Sequence, residues 1–148
     1  MLQFDLAEKS FLDLFAGSGQ IGIEALSRGA SSLDLVESDR KAQQVIRQNL
    51  SALGLLKKAH LWPGDVERVL TRLKAESRQF DLIFMDPPYQ HGWEDRIGRQ
   101  IAELGLLTED GMLIVESSSE TEVEIPLLEK IREKTYKTTR YTFFVRKD

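Results

Sequence analysis

The sequence predicts an α/β fold with a mostly parallel, seven-stranded sheet, helices on both faces, and an antiparallel hairpin at the C-terminal end. Three observations predict it. Short apolar runs alternate with amphipathic stretches along the chain, the pattern that stacks helices on a parallel sheet. A glycine-rich turn follows the first apolar run, where such folds pass from strand to helix. The tail departs from this alternation and reads as two strands joined by a short turn.

Each element follows from local signals. Ser10 to Phe15 reads as a first buried strand ended by Gly17-Ser18-Gly19. A helix from about Gln20 to Arg28 carries Ile21, Ala25 and Leu26 and stops at Gly29. Leu33 to Val36 is a second strand. Asp39 then caps a helix whose apolar positions, Ala42, Val45, Ile46, Leu50 and Leu53, recur at helical spacing. His60 to Trp62 is a short third strand before Pro63-Gly64. Asp65 caps a helix with the stripe Val66, Val69, Leu70, Leu73. Phe80 to Met85 is a fourth strand running into Asp86-Pro87-Pro88-Tyr89. After a helix near Glu94 to Glu103, Gly111 to Glu116 is a fifth strand. Lys130 to Lys137 and Arg140 to Lys147 form the closing hairpin, with its turn near Thr138-Thr139.

The bulk numbers set bounds. At 148 residues, 41% apolar and 30% charged, the chain reads as one globular domain, 1–148. There is no cysteine, hence no disulfide or thiolate metal site, which suits a reducing cytoplasm. No apolar run approaches a membrane span, and the first residues lack the pattern of a signal peptide. The expectation is a cytoplasmic monomer with no metal and no membrane contact. A net charge of −4 argues against wholesale phosphate binding, so any nucleic-acid contact must be local or supplied by something outside the sequence.

Gly17-Ser18-Gly19-Gln20-Ile21-Gly22 matches G-x-G-x-x-G. Glycines there let a ligand approach the backbone, and the helix start offers unpaired N–H groups. By itself the motif suits a dinucleotide equally well. Glu37, ending the second strand, can accept hydrogen bonds from ribose hydroxyls in either case. Asp13 tips the balance toward S-adenosylmethionine. An acid inside a buried strand needs a polar partner, and in adenosylmethionine enzymes this position faces the ammonium of the methionine end. The alternative is that Asp13 only ties down the loop through backbone N–H groups. Asp65 lies where adenine's amine is expected, or is a plain helix cap. The candidate cofactor-binding set is therefore Asp13, Phe15, Ala16, Gly17, Ser18, Gly19, Glu37, Ser38, Asp65 and Val66.

Asp86-Pro87-Pro88-Tyr89 is the most specific feature and the candidate catalytic loop. Two successive prolines fix φ and leave no N–H, so the loop is rigid while its carbonyls remain acceptors. An exocyclic amine on a nucleobase is a poor nucleophile, because its lone pair is conjugated into the ring. The Asp86 carboxylate and the Pro87 carbonyl can hold both N–H bonds and aim the lone pair at a methyl donor. Tyr89 supplies a ring on which a rotated-out base can stack.

Other residues carry less. His60 and His91 have no ligand spacing. Trp62 is core or borders the cofactor; Trp93 packs or lines the substrate loop. Glu120 to Glu124 is a solvated acidic stretch. Lys137, Arg140, Arg146 and Lys147 either meet RNA phosphates or protect a sheet edge by charge.

With both loops in hand, Phe11-Leu12-Asp13-Leu14-Phe15-Ala16-Gly17-Ser18-Gly19 and Gly22 to Ala30 resemble the RsmD-type bacterial 16S ribosomal RNA guanine-N2 methyltransferases. Val36 to Asp39, Phe84 to Tyr89 and Ile114 to Ser117 fit the same family. The resemblance implies a Rossmann-like class I methyltransferase fold and transfer of a methyl group from S-adenosylmethionine to guanine N2. It implies small-subunit ribosomal RNA, naked or in an assembling subunit, as the partner. It places Gly17, Ser18 and Gly19 against the cofactor, Glu37 on its ribose, and Asp86 to Tyr89 on the guanine. Members usually carry a basic N-terminal segment with an Arg-Pro-Thr motif, which this sequence lacks. That absence points to a truncated chain, with part of substrate binding outside it. Three alternatives stand beside this reading: methylation of adenine N6 or another amino group by the same loop, a nicotinamide-dependent oxidoreductase, and a cofactor-binding fragment without activity.

Overall fold

The computed structural model describes residues 5–88 and 92–147. The elements are β1 (Ser10–Leu14), α1 (Gln20–Ser27), β2 (Ser32–Glu37), α2 (Arg40–Ala52), β3 (Ala59–Pro63), α3 (Val66–Ala75), β4 (Phe80–Met85), α4 (Trp93–Glu103), β5 (Leu107–Ser118), β6 (Leu128–Tyr136) and β7 (Thr139–Arg146). They form one sheet of order β3-β2-β1-β4-β5-β7-β6. The first five strands are parallel to their neighbours, and β7 runs antiparallel to both β5 and β6.

Side chains alternate between the two faces of a strand, and the core divides accordingly. Phe11, Leu33, Leu35, Leu82, Phe84, Ile114 and Phe143 pack with Ile23, Ala25 and Leu26 of α1 and Ile46 and Leu50 of α2. On the other face, Leu12, Leu14, Val36, Ile83, Met85 and Val115 pack with Val69, Leu70 and Leu73 of α3 and Ile97 and Ile101 of α4. Gly22 permits the α1 contact: a Cβ there would meet the Leu33 side chain at 2.5 Å.

Asp34 faces the α3 side and is buried. Its two oxygens accept from the Arg78 guanidinium at 2.8 Å and the Trp62 indole N–H at 2.9 Å. Trp62 thus belongs to the packing on the α3 face, with His60 stacked edge-on at 4.6 Å.

Boundaries differ from the sequence reading in two places. β5 begins at Leu107 rather than Gly111, because a register shift between Phe80 and Leu82 lets both Leu107 and Met112 pair with β4. The hairpin turn is Lys137-Thr138, enclosed by the Tyr136↔Thr139 pair, with Lys137 at φ 56°. Thr139 already belongs to β7. The basic tail is tied to the molecule itself. Arg140, Arg146 and Lys147 donate to the carbonyls of Ser119, Leu107 and Pro126. Lys130 pairs with Glu124 and Glu133. Together with the exposed charges of β6, this is the charge protection of an edge strand.

Candidate functional site

The strand order reverses at β1, which lies between β2 and β4. In open α/β sheets the crevice at the carboxyl ends of the strands at such a switch point takes the ligand. The candidate residues converge there. Asp13 alternates with Phe11, and Glu37 with Leu33 and Leu35. Asp86 continues the series Leu82, Phe84, and Glu116 the series Met112, Ile114. All four acids therefore project from the α1/α2 face at the carboxyl ends of β1, β2, β4 and β5.

Asp13 is 2% exposed. The backbone N–H of Gly22, in the first turn of α1, hydrogen-bonds its carboxyl, in place of the side-chain cap that Gly19 lacks. Its Oδ2 has no hydrogen-bond partner. Burial, opposed by that N–H and reinforced by the charges of Asp86 and Glu37, pushes the carboxyl up to about 8. Tying down the loop thus accounts for one oxygen of Asp13 and leaves the other for a ligand.

The glycine loop is held from both sides. Ala16 N–H donates to the Val36 carbonyl at 3.0 Å, and Asn49 of α2 donates to the Ser18 carbonyl at 3.2 Å. Glu37 accepts from the N–H of Gly17 at 2.7 Å and of Asp39 at 2.9 Å, so its carboxylate is fixed in orientation. Gly17 and Gly19 take φ 61° and 82°, which glycine adopts without strain. Phe15 takes φ 60° despite its Cβ, a strained conformation typical of ligand-binding turns. Its ring packs edge-on against Trp93 at 6.0 Å, coupling the glycine loop to the start of α4.

Not every candidate side chain faces the crevice. The side chains of Phe15 and Val66 pack into the α3/α4 core, so what they offer a cofactor is backbone. Ser38 is exposed beside Glu37. Asp65 is the N-cap of α3, accepting from Arg68 N–H at 3.3 Å; the cap reading is satisfied, and one bond leaves acceptor capacity free. Trp93 is half-buried and serves packing. Tyr89 and His91 lie outside the described residues.

Asp86 is exposed at the end of β4, followed by buried Pro87 and exposed Pro88. Two further residues join it that sequence reasoning missed as site residues. Glu116 stands beside Asp86 on the neighbouring strand, and Tyr141 is its partner across the β5–β7 ladder. Burial and the Asp86 charge push Glu116 up to about 7, burial also raises Asp86, and burial beside Glu116 pushes the Tyr141 phenol up to about 12. The signal for Glu116 was present in the sequence: an acid ending the apolar strand Gly111 to Val115, as Asp86 ends Phe80 to Met85. What was missing was the register placing the two side by side.

Four acids at one sheet edge form a field suited to a cationic ligand, since like charges crowded together raise one another's proton affinity. Among the described residues, no group of three or more His, Asp or Glu side chains is arranged to hold a metal ion, and no helix is long and apolar enough to cross a membrane.

Comparison with known proteins follows this geometry. The family model described as "Conserved hypothetical protein 95" matches residues 1–145. The chain belongs to that family. It is 43% identical over 115 residues to YlbH of Bacillus subtilis, which carries the provisional name of an rRNA methyltransferase; the match covers 78% of this chain and 61% of that protein. It is 31% identical over 115 residues to ribosomal RNA small subunit methyltransferase D of Escherichia coli (strain K12), covering 78% and 56%. A solved conserved hypothetical protein of Streptococcus pyogenes matches at 35% identity and TM-score 0.87, over 95% of this chain and 88% of that one. The chain thus spans roughly three-fifths of the curated relatives it matches. The resemblance to RsmD-type proteins read from the sequence is borne out, as is the methyltransferase fold.

Proposed function

We propose that the protein transfers a methyl group from S-adenosylmethionine to the exocyclic N2 amine of a guanine in small-subunit ribosomal RNA. One observation carries the reading. Asp86 and its rigid proline loop stand at the same edge and on the same sheet face as Asp13 and Glu37, beside the glycine loop.

The residues present fit this cofactor. The unpartnered, buried Oδ2 of Asp13 is an orphan acceptor that an ammonium satisfies, and such a group is costly to leave unmatched. Glu37, held by two backbone N–H groups, retains lone pairs for ribose hydroxyls. Gly17, with open space beside its Cα, leaves room for close approach, while Gly19 lets the loop pack on Ile46 and Leu35. Asp65 lies where an adenine amine is expected. A nicotinamide dinucleotide offers Asp13 no ammonium to donate to its unpartnered oxygen and gives the proline loop no purpose.

The bound cofactor supplies an electrophilic methyl group. The protein's own residues supply position and charge. Asp86 and the Pro87 carbonyl accept the two N–H bonds of the amine, which turns the nitrogen lone pair toward the methyl group. Asp86 also stabilises the positive charge that develops on nitrogen, and afterwards sits within reach of the proton the amine sheds. Pro88 keeps the turn rigid, and Tyr89 supplies the stacking face, worth ~1–3 kcal/mol per base. An adenine amine meets the same loop equally well. Guanine and the small ribosomal subunit enter through the family resemblance and the relatives' names.

The test is transfer of radiolabelled methyl to naked ribosomal RNA, small subunits and DNA, with the labelled base mapped. Label at guanine N2 of small-subunit RNA is expected. Label at adenine alone contradicts the guanine assignment.

A further inference from the structure

Glu116 has no role in the reaction as described, yet it stands beside the group that does. Met85 pairs with Val115, so Asp86 and Glu116 are the next positions of adjacent parallel strands. Their side chains share the α1/α2 face on neighbouring strands, close enough for each carboxyl to shift the other's proton affinity. Tyr141 approaches Glu116 from β7, through the Glu116↔Tyr141 pair. Asp86 is exposed and Glu116 half-buried, so both are within reach of a base entering the crevice.

Two carboxyls side by side favour holding one proton between them, because two carboxylates repel and are both acceptors. With that proton on Glu116 and donated to Asp86, the outward oxygen of each carboxyl is an acceptor. The site then presents two neighbouring acceptors. Tyr141, paired with Glu116 across β5 and β7, places its phenol on the same face beside that carboxyl. The raised proton affinity of Glu116 accords with a proton retained in the pair.

Guanine's Watson–Crick edge offers neighbouring donors, N1–H and the N2 amine. Adenine offers its N6 amine beside an unprotonated N1, which is an acceptor. We infer that Glu116 is a specificity-determining residue that accepts guanine N1–H while Asp86 accepts N2–H, so that the pair selects guanine over adenine. The inference rests on the guanine reading above and assigns the residue that enforces it. A site built to pair a substrate N–H rejects a base lacking it, because an acceptor then faces an acceptor.

The test uses 2-aminopurine, which keeps the C2 amine but has no N1–H. It replaces the mapped guanine in ribosomal RNA by splinted ligation, and the RNA is used naked or reassembled into small subunits, whichever form accepts label. The parent protein is expected to methylate guanine at least about 30-fold faster than 2-aminopurine. Glu116→Ala is expected to reduce that preference to within about threefold of unity. Glu116→Gln is expected to keep it above about tenfold, since its amide donates to Asp86 and its carbonyl accepts N1–H. Cofactor affinity, measured by calorimetry, serves as the folding control for each variant. A parent that treats both bases alike overturns the inference, as does a Glu116→Ala variant that slows both equally. A Glu116→Gln variant that binds cofactor but has lost the preference overturns it too. Failure of the guanine reading looks different: the parent labels no guanine.

Discussion

Asp13 and Asp86 are both acids at strand ends, and their environments divide their work. Asp13 is enclosed, with one oxygen committed to α1 and the other unmatched. Asp86 is exposed at the end of β4. Asp86→Ala is expected to lower turnover at least about 100-fold, the scale of losing a group that stabilises developing charge. Calorimetry should find its cofactor affinity within about threefold of the parent's. A variant turning over near the parent rate makes Asp86 structural. Asp13→Asn keeps an acceptor for Gly22 N–H but removes the charge. It is expected to weaken adenosylmethionine binding about ten- to a hundredfold, the worth of one charged hydrogen bond. Unchanged affinity would return Asp13 to the role of loop tie. At this scale the sequence disclosed Asp13, Glu37 and Asp86, because acids ending apolar runs are anomalous without a purpose. Glu116 likewise ends an apolar run, but its place beside Asp86 is not legible there, and Tyr141 carries no local signal. Their proximity depends on register between strands far apart in sequence, which no local pattern encodes.

The elements were legible because periodicity and punctuation agree along most of the chain. The caps Asp39 and Asp65 accept from Ala42 and Arg68 as their positions imply. The errors fell where tertiary pairing overrides local signal. The start of β5 is set by its shifted register on Phe80, and the hairpin turn by a lysine at positive φ, a conformation its side chain does not advertise. For Val66 and Phe15, strand and helix phase turn the side chains into the core, so their place in the cofactor set rests on backbone alone. Phase also governs Gly22. In an isolated helix Gly22→Ala gains about 0.5–1 kcal/mol. Here the new methyl group meets buried Leu33, and overpacking costs ~1–3 kcal/mol. The clash outweighs the propensity, so the melting temperature is expected to drop by roughly 2–4 °C per kcal/mol lost. A rise in melting temperature would show that α1 has room to move off β2.

For the whole molecule, the concentration of acids at one edge of the sheet links stability to pH. Asp13 and Glu116 titrate at about 8 and 7 in the fold, against ordinary values of 3.8 and 4.5. Their contribution to stability is complete below those ordinary values and is lost as pH rises through 7 and 8. The melting temperature of the cofactor-free protein is therefore expected to fall between pH 5 and pH 8.5, and Asp13→Asn to flatten that fall. An identical slope in the variant would mean that Asp13 is already ionised. If the proposed nucleic-acid substrate is right, a net charge of −4 is compatible with it, because part of the negative charge is gathered at this edge. Arg140, Arg146 and Lys147 of the basic tail donate to carbonyls of the protein itself.

We infer that this edge holds a cationic methyl donor rather than a dinucleotide, because a buried oxygen of Asp13 awaits a donor there. Calorimetric titration of the chain with S-adenosylmethionine and, separately, with NAD tests it most directly. The account predicts one molecule of S-adenosylmethionine bound per chain and no measurable heat with NAD. Binding of NAD with none of S-adenosylmethionine would contradict it.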